Sequence, residues 1–400
     1  MLNRLQRTIQ LAFLAIEKAF NAAFGERSNP FYYLGATAYY SLLVVIASGL
    51  YLYAFYRTGI DTTYASVESI THHQWYAGGV MRSLHRYGSD AMAVLMLLHL
   101  VRHFAFDRYR SFRAFSWVSG VAVLWLVYAS AINGYMLPWD RLAQFATTAT
   151  AEWFDVLPAF RGTLVRNFLT EESISDRLFS LLSFLHIGMP LALLVALWVH
   201  TQRVPRAHVM PPTGIAAAFT VTLVVLSLAK PAVSQSPAAL QTVPASLAFD
   251  WVYLPVYPLI YRWSPMAVWG LVGGATLLML LAPWLPPKRR RRDEPFQWVI
   301  QPAGITIGVR EAETLLDAGL RQGVALPFDC RSGGCGVCKA TLVGGKVDFG
   351  AYQKRVLSDQ ERAGGKVLLC CATPLSDLEV ECETPEQGAT VDSRARRAGG

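Results

Sequence analysis

The chain has 400 residues, 53% of them hydrophobic and 16% charged, with a mean hydropathy of +0.31, and so apolar a composition excludes a wholly soluble protein. Its formal net charge of +8 is unevenly placed: residues 1–294 hold 24 Lys and Arg against 15 Asp and Glu, whereas residues 295–400 hold 12 against 13. All six cysteines, Cys330, Cys335, Cys338, Cys370, Cys371 and Cys382, fall in that second stretch. The first part therefore has neither a disulfide nor a thioether-linked cofactor.

Taken in chain order, residues 1–30 predict an interfacial amphipathic helix. Leu5, Ile9, Phe13, Ile16 and Phe20 recur at helical steps beside Arg4, Arg7 and Lys18, and no small-residue cleavage site follows. Six hydrophobic segments then approach the roughly 20 residues that cross a bilayer: about 31–56, 80–104, 114–135, 177–201, 213–230 and 264–285. Basic residues cluster before the first, after the second, after the fourth and after the sixth of these. By the enrichment of Lys and Arg on the cytoplasmic side, both termini are expected in the cytoplasm of a bacterial-type inner membrane. The opposite side carries the long connections 57–79, 137–176 and 231–263, of a length often reserved for function. A basic linker over 287–294, including Lys288 and Arg292, is followed by strand-like stretches at 297–301 and 304–309 and a helix-like stretch at 311–322. A soluble domain is expected over 295–384 and a disordered Gly-, Ala- and Arg-rich tail over 385–400.

His85 and His99 lie in the second span, and His186 and His200 in the fourth, each pair separated by thirteen residues. Fourteen steps advance a helix by about 21 Å and return to within about 40° of the same face. Two such helices side by side can sandwich two planar haems, each iron taking one imidazole from each helix. A single intramembrane histidine can be an ordinary polar residue of a bundle interior. Two pairs of equal spacing on non-adjacent spans argue for function, since ionisable groups in lipid are costly. The arrangement resembles the cytochrome b subunit of quinol-oxidising Rieske/cytochrome b complexes over about residues 1–285. Arg82, His85 and Gly88 match its R-x-x-H-x-x-G signature, His99 and Arg102 its H-x-x-R, and His186 and Pro190 its H-x-x-x-P. Gly35 and Gly49 stand where the family's first helix passes a haem. The resemblance implies two haems b, one on His85 and His186 near the outer face and one on His99 and His200 near the cytoplasm. It also implies that Arg82 and Arg102 pair with propionates; snorkelling to lipid headgroups is the alternative for each arginine.

Gly134-Tyr135-Met136-Leu137-Pro138-Trp139-Asp140, at the end of the third span, is similar to the family segment that lines the outer quinol-oxidation site. Phe249-Asp250-Trp251-Val252, followed by Tyr257, is similar to its P-E-W-Y box. By that resemblance Asp250 accepts a quinol proton while Tyr257, Tyr135, Pro138 and Trp139 line the pocket. The box departs from the pattern in lacking the proline and the final tyrosine, and Asp is one methylene shorter than Glu; a loop cap is the other reading of Asp250. At the inner side only Arg206 and His208 offer polar groups for a quinone, and the membrane part ends two spans short of the family's long form.

Cys330, Cys335 and Cys338 have the C-x4-C-x2-C spacing of plant-type [2Fe-2S] ferredoxins, with Cys370 following. The surrounding residues resemble the β-grasp ferredoxin family over about 295–384, which selects Cys370 rather than Cys371 as fourth ligand. Zinc is the competing metal, although its sites favour paired C-x2-C spacings. The expected fold is thus an all-α six-span transmembrane di-haem bundle followed by a soluble α+β β-grasp ferredoxin domain. The expected activity is electron exchange between a membrane quinone pool, two b haems, the cluster and a soluble cytoplasmic partner. A Rieske-like or cytochrome c subunit on the outer face, a dimer or larger assembly, and no nucleic acid complete the expectation. A non-catalytic electron wire and a ferredoxin-driven quinone reductase are the alternatives.

Overall fold

A computed structural model describes residues 2–110, 113–202, 209–242, 246–285, 295–310, 313–350, 352–354 and 356–382. Arg206, His208, the linker over 287–294 and the tail over 385–400 lie outside the described residues. The chain divides into two compact units, parting between Leu285 and Pro286.

The first unit is helical. Helix α1 (Leu2–Phe24) buries Phe13 and Glu17, and Glu17 meets Arg102 at 2.6 Å. Next come α2 (Leu34–Phe55), α3 (Thr63–Glu68), two π-helical turns over 69–79, and α4 (Val80–Ala105). Then follow α5 (Ala114–Met136), α6 (Arg141–Asp155), α7 (Thr163–Phe168) and α8 (Asp176–Gln202). The unit ends with α9 (Thr213–Ala229), α10 (Tyr257–Arg262) and α11 (Pro265–Leu281). Among the described residues, α2, α5, α8 and Pro265–Trp284 are long and apolar enough to cross a membrane. Of the other two expected spans, α9 is a shorter apolar helix, and α4 has 26 residues interrupted by Arg82, Arg86, Asp90 and Arg102. The principal packing is pairwise, α2 on α4 and α5 on α8. The connection over 137–176 is not a plain loop: Asp140 accepts from the Ala143 amide at 2.9 Å and so caps α6.

The second unit is a small sheet domain. Strands β1 (Phe296–Gln301), β2 (Ile305–Val309), β3 (Lys339–Gly344), β4 (Val347–Asp348), β5 (Lys366–Leu368), β6 (Thr373–Pro374) and β7 (Leu378–Glu381) surround α12 (Leu315–Arg321) and α13 (Asp359–Ala363). A five-stranded sheet has the order β2-β1-β7-β3-β5, and β4 pairs with β6. β1 runs parallel to β7 while its hairpin partner β2 and the pair β3–β7 are antiparallel. Alternation along β1 buries Trp298 and Ile300, which meet Ile307, Leu315, Leu316, Val367 and Val380 in one core. The helix expected over 311–322 starts later, at Leu315, because the Thr314 side chain accepts from the Asp317 amide and sets the first turn there.

Candidate functional site

In the helical unit the four histidines face four glycines. A Cβ on Gly49 of α2 would lie 2.9 Å from His85 Cε1, and one on Gly35 would lie 2.9 Å from His99 Cε1. On α5 a Cβ at Gly134 would stand 2.7 Å from His186 Cε1, and one at Gly120 would stand 3.3 Å from His200 Cε1. Both glycine pairs repeat the fourteen-residue step of the histidines, so each antiparallel helix pair presents two imidazoles at the same two heights. Gly35 and Gly49 were legible beforehand. Gly120 and Gly134 were not read this way, though their equal spacing was a signal in the sequence.

The rings are pinned through one nitrogen. His85 Nδ1 donates to the Val45 carbonyl at 2.9 Å, and His186 Nδ1 donates to the Ser130 carbonyl at 3.0 Å. His200 Nδ1 is 2.9 Å from Ser119 Oγ. A histidine donating through Nδ1 keeps its Nε2 lone pair free for a metal. The His85 and His186 rings have centroids 6.0 Å apart at an interplanar angle of 66°, a separation that leaves room for one metal ion between two imidazoles, each at about 2 Å. The residues present therefore fit a haem, whose iron His85 and His186 would hold. His99 also packs against His103, centroids 4.3 Å apart with the rings tilted by 59°. The arginines have protein partners: Arg102 binds Glu17 as above, and Arg82 donates to Thr71 Oγ1 and, at 2.8 Å, to Ser234 Oγ.

The structure brings Tyr135 and Asp250 together. Asp250 is buried, and its carboxylate accepts from Arg86, from the Tyr135 hydroxyl at 2.7 Å, and from the Val252 and Tyr253 amides at 2.8 Å each. Burial alone would raise this carboxyl, but Arg86, Tyr135 and the Tyr253 amide outweigh it and hold it below the ordinary carboxylate range. Arg86 also pairs with Asp90 and lies 4.7 Å from the Tyr135 ring centre. Neither Arg86 nor Asp90 was singled out from sequence, where the i,i+4 spacing resembles an ordinary helix-surface pair. Tyr257 is buried, its hydroxyl 2.7 Å from Thr150 Oγ1. Trp139 sits edge-on to Phe179 with its own φ at 52°. Pro138 is half-buried beside it, and Trp251 is 70% exposed.

In the second unit the expected ligands gather in pairs. The Cys338 and Cys370 sulfurs are 3.1 Å apart, and the Cys330 and Cys335 thiols hydrogen-bond to each other. The Gly334 amide donates to Cys330 Sγ at 3.4 Å. Burial would raise the Cys330 thiol, but hydrogen bonds from Cys335, from Ser332 and from the Gly334 amide outweigh it and bring it down to about 7. The hydrogen bond shared with Cys370, together with burial, pushes Cys338 up, the state of a thiol pair that a metal would deprotonate. Cys371 Sγ lies 3.6 Å from Cys370 Sγ, whereas Cys382 is buried in the core. Two sulfurs for each of two irons is the donor set a [2Fe-2S] cluster requires.

Comparison with known proteins agrees with this division. Residues 22–206 match the family described as cytochrome b/b6/petB, and residues 299–376 match the 2Fe-2S iron-sulfur cluster binding domain. A 91-residue stretch is 47% identical to the phenol hydroxylase P5 protein of Acinetobacter pittii (strain PHEA-2), covering 23% of this chain and 26% of that one, so the chain spans about a quarter of that relative's length. Cytochrome b of Rhodospirillum rubrum is 24% identical over 297 residues, 66% of this chain and 72% of that protein. A solved structure titled "Hyperthermophilic respiratory Complex III" shares the fold over 64% of this chain and 75% of its own, at 20% identity and a TM-score of 0.53. The chain accordingly joins a cytochrome b/b6 domain at residues 22–206 to a 2Fe-2S iron-sulfur cluster binding domain at residues 299–376.

Proposed function

We propose that the chain is a quinol-oxidising subunit that exchanges electrons between an outer quinol pocket, two haems b and a [2Fe-2S] cluster serving a soluble cytoplasmic partner. The observation that carries this reading is the four-histidine, four-glycine array in the same chain as the paired cysteines. His85 and His186 hold one haem and His99 and His200 the other, with Gly49, Gly134, Gly35 and Gly120 giving each imidazole its place. Haem, when bound, supplies one-electron redox capacity within the membrane. Cys330, Cys335, Cys338 and Cys370 hold the cluster. Arg82 and Arg102, at the two ends of α4, would pair with the propionates, and each has a protein partner to fix its direction.

At the outer end, Tyr135 and the Asp250 carboxylate form the polar wall of the quinol pocket, with Pro138, Trp139 and Tyr257 as its aromatic and rigid frame. A quinol ring needs such an apolar slot with few polar groups. The basic segments expected on the cytoplasmic side orient α2 to α11 as a six-span bundle with both termini inside. A one-electron acceptor on the outer face, Rieske-like or c-type, takes the second quinol electron. Inward transfer toward the cluster opposes a negative-inside potential at about 2.3 kcal/mol per 100 mV, a cost that the second, high-potential acceptor would offset; electrons running outward from the cluster to quinone are the other solution.

The test is a redox titration of the purified protein, following haem b optically and the cluster by electron paramagnetic resonance. Two b-type transitions and one rhombic [2Fe-2S] signal are expected. A single b haem, or none, refutes the histidine assignment. If decylubiquinol leaves both haems oxidised while dithionite reduces them, the pocket is not a quinol site and the subunit is an electron wire.

A further inference from the structure

The outer part of α4 holds more charge than the pocket described above uses. Arg86 stands between two carboxylates, donating to Asp90 on its own helix and to Asp250 from the loop before α10. One guanidinium between two carboxylates leaves one negative charge uncompensated in apolar surroundings, and there a proton is the cheapest compensation.

The two carboxylates are not equivalent. Asp250 has four donors distributed over both oxygens, and its side chain is 5% exposed. A proton arriving there must displace at least one of them. The side chain of Asp90 is 22% exposed, and among the described residues Arg86 is its only ion-pair partner. The charged and titratable groups around Asp90 are Arg86 and Tyr87 on its own helix, Tyr135 on α5, and Asp250 and Tyr253 on the facing loop. Among these Asp90 is the carboxylate with the fewer donors, Arg86 alone among the described residues, and the more exposed side chain, while the single guanidinium it shares with Asp250 leaves the three-residue group one negative charge in excess. Tyr253 is buried and donates to the Ser89 carbonyl at 2.6 Å, which takes its proton out of play.

We propose that Asp90 is the proton acceptor of the outer quinol pocket, with Arg86 its positioning residue and Asp250 a fixed counter-charge. The inference rests on the quinol reading given above. In the step itself one quinol O–H bond breaks and one O–H bond forms on the Asp90 carboxylate, leaving the quinol as its monoanion. No electron moves in that step. Arg86 then keeps its bond to Asp250, so the pocket wall stays in place while the charge of the group changes from minus one to zero.

The experiment uses the full chain in detergent with decylubiquinol, measuring the initial rate of haem b reduction by stopped flow from pH 5.5 to 8.5. Wild type should speed up with rising pH. Asp90→Asn should be slower on the order of 10²-fold, as expected for loss of a general base, with a flat profile, and Asp90→Glu should restore the slope. Asp250→Asn should slow the reaction but keep the wild-type slope. The proposal is overturned if Asp90→Asn keeps that slope or if Asp250→Asn abolishes it. Should Asp90→Asn fail to retain haem, Asp90→Glu and Asp250→Asn decide the matter by the same slopes. A wild-type protein reducible by dithionite but not by decylubiquinol overturns the quinol reading itself, a result distinct from a reducible wild type whose Asp90→Asn variant behaves normally.

Discussion

Gly134→Ala is the sharpest test of the histidine array. The added Cβ would lie 2.7 Å from His186 Cε1, about 0.8 Å inside the nearest comfortable carbon–carbon separation of about 3.5 Å. The ring cannot simply retreat, because its Nδ1 is held by the Ser130 carbonyl at 3.0 Å. Overpacking of this kind costs about 1–3 kcal/mol, or roughly 5- to 150-fold in occupancy of the His85–His186 site at 1.36 kcal/mol per decade. Gly188→Ala on α8 is the control, since a Cβ there meets nothing within 4 Å and should add only the helix-favouring gain of about 1 kcal/mol. The assay is haem b per chain from the reduced optical spectrum of purified protein, with the potentials of both haems read by titration. Gly134→Ala should lose or shift the haem on His85 and His186 and leave the other unchanged. Full loading with both potentials at wild-type values would refute the argument that Gly134 exists to seat His186.

Other outcomes follow from the same geometry. Cys370→Ser should abolish or reshape the [2Fe-2S] resonance, whereas Cys382→Ser, in the sheet core, should leave it intact; an unchanged signal in the former would remove Cys370 from the ligand set. Glu17→Ala removes the ion-pair partner of the buried Arg102 and, in the haem-free chain, should destabilise the docking of α1 by about 3–5 kcal/mol. The double variant Glu17→Leu with Arg102→Leu should recover much of this, read by thermal unfolding, and equal losses in both would refute the pairing. In the small domain, the Lys339 hydrogen bond and the Ser358 cap lower the Glu361 carboxyl to about 2. A folded value below the unfolded one stabilises the domain above roughly pH 4.3, and the gain is lost as pH falls toward 2. Lys339→Met should move the Glu361 titration upward by carbon-13 NMR, and an unmoved titration would show that the ion pair contributes nothing.

What was legible in the sequence was whatever a regular period or a short spacing encodes. The fourteen-residue steps of His85–His99 and His186–His200 are properties of single helices, and the cysteine spacing belongs to one loop, so both could be read locally. Gly120 and Gly134 acquire meaning only when α5 lies on α8, a contact between segments about 60 residues apart. The Arg86–Asp250 pair joins residues 164 apart, and no periodicity announces it. The helices α3, α6 and α7 lie inside stretches that read as loops because α3 and α7 are brief and start without a side-chain cap, while the Asp140 cap of α6 stands as the last residue of a motif and takes on that role only with the fold. The parallel pairing of β1 with β7 is likewise a product of chain closure that local alternation cannot specify.

The pairing of α2 with α4 and of α5 with α8 has a consequence for biogenesis. Each proposed haem draws one ligand from each pair, so the hairpin containing His85 and His99 is synthesised well before its counterpart and must wait with its imidazoles uncoordinated until α8 has been inserted. The cofactor then acts as a clasp between two halves made at different times. By mass action, its binding free energy is added to that of the assembled bundle alone. Haem supply would therefore regulate how much of the newly made chain survives membrane quality control, and starvation for haem should deplete the protein itself, its iron–sulfur domain included, before it depletes the message.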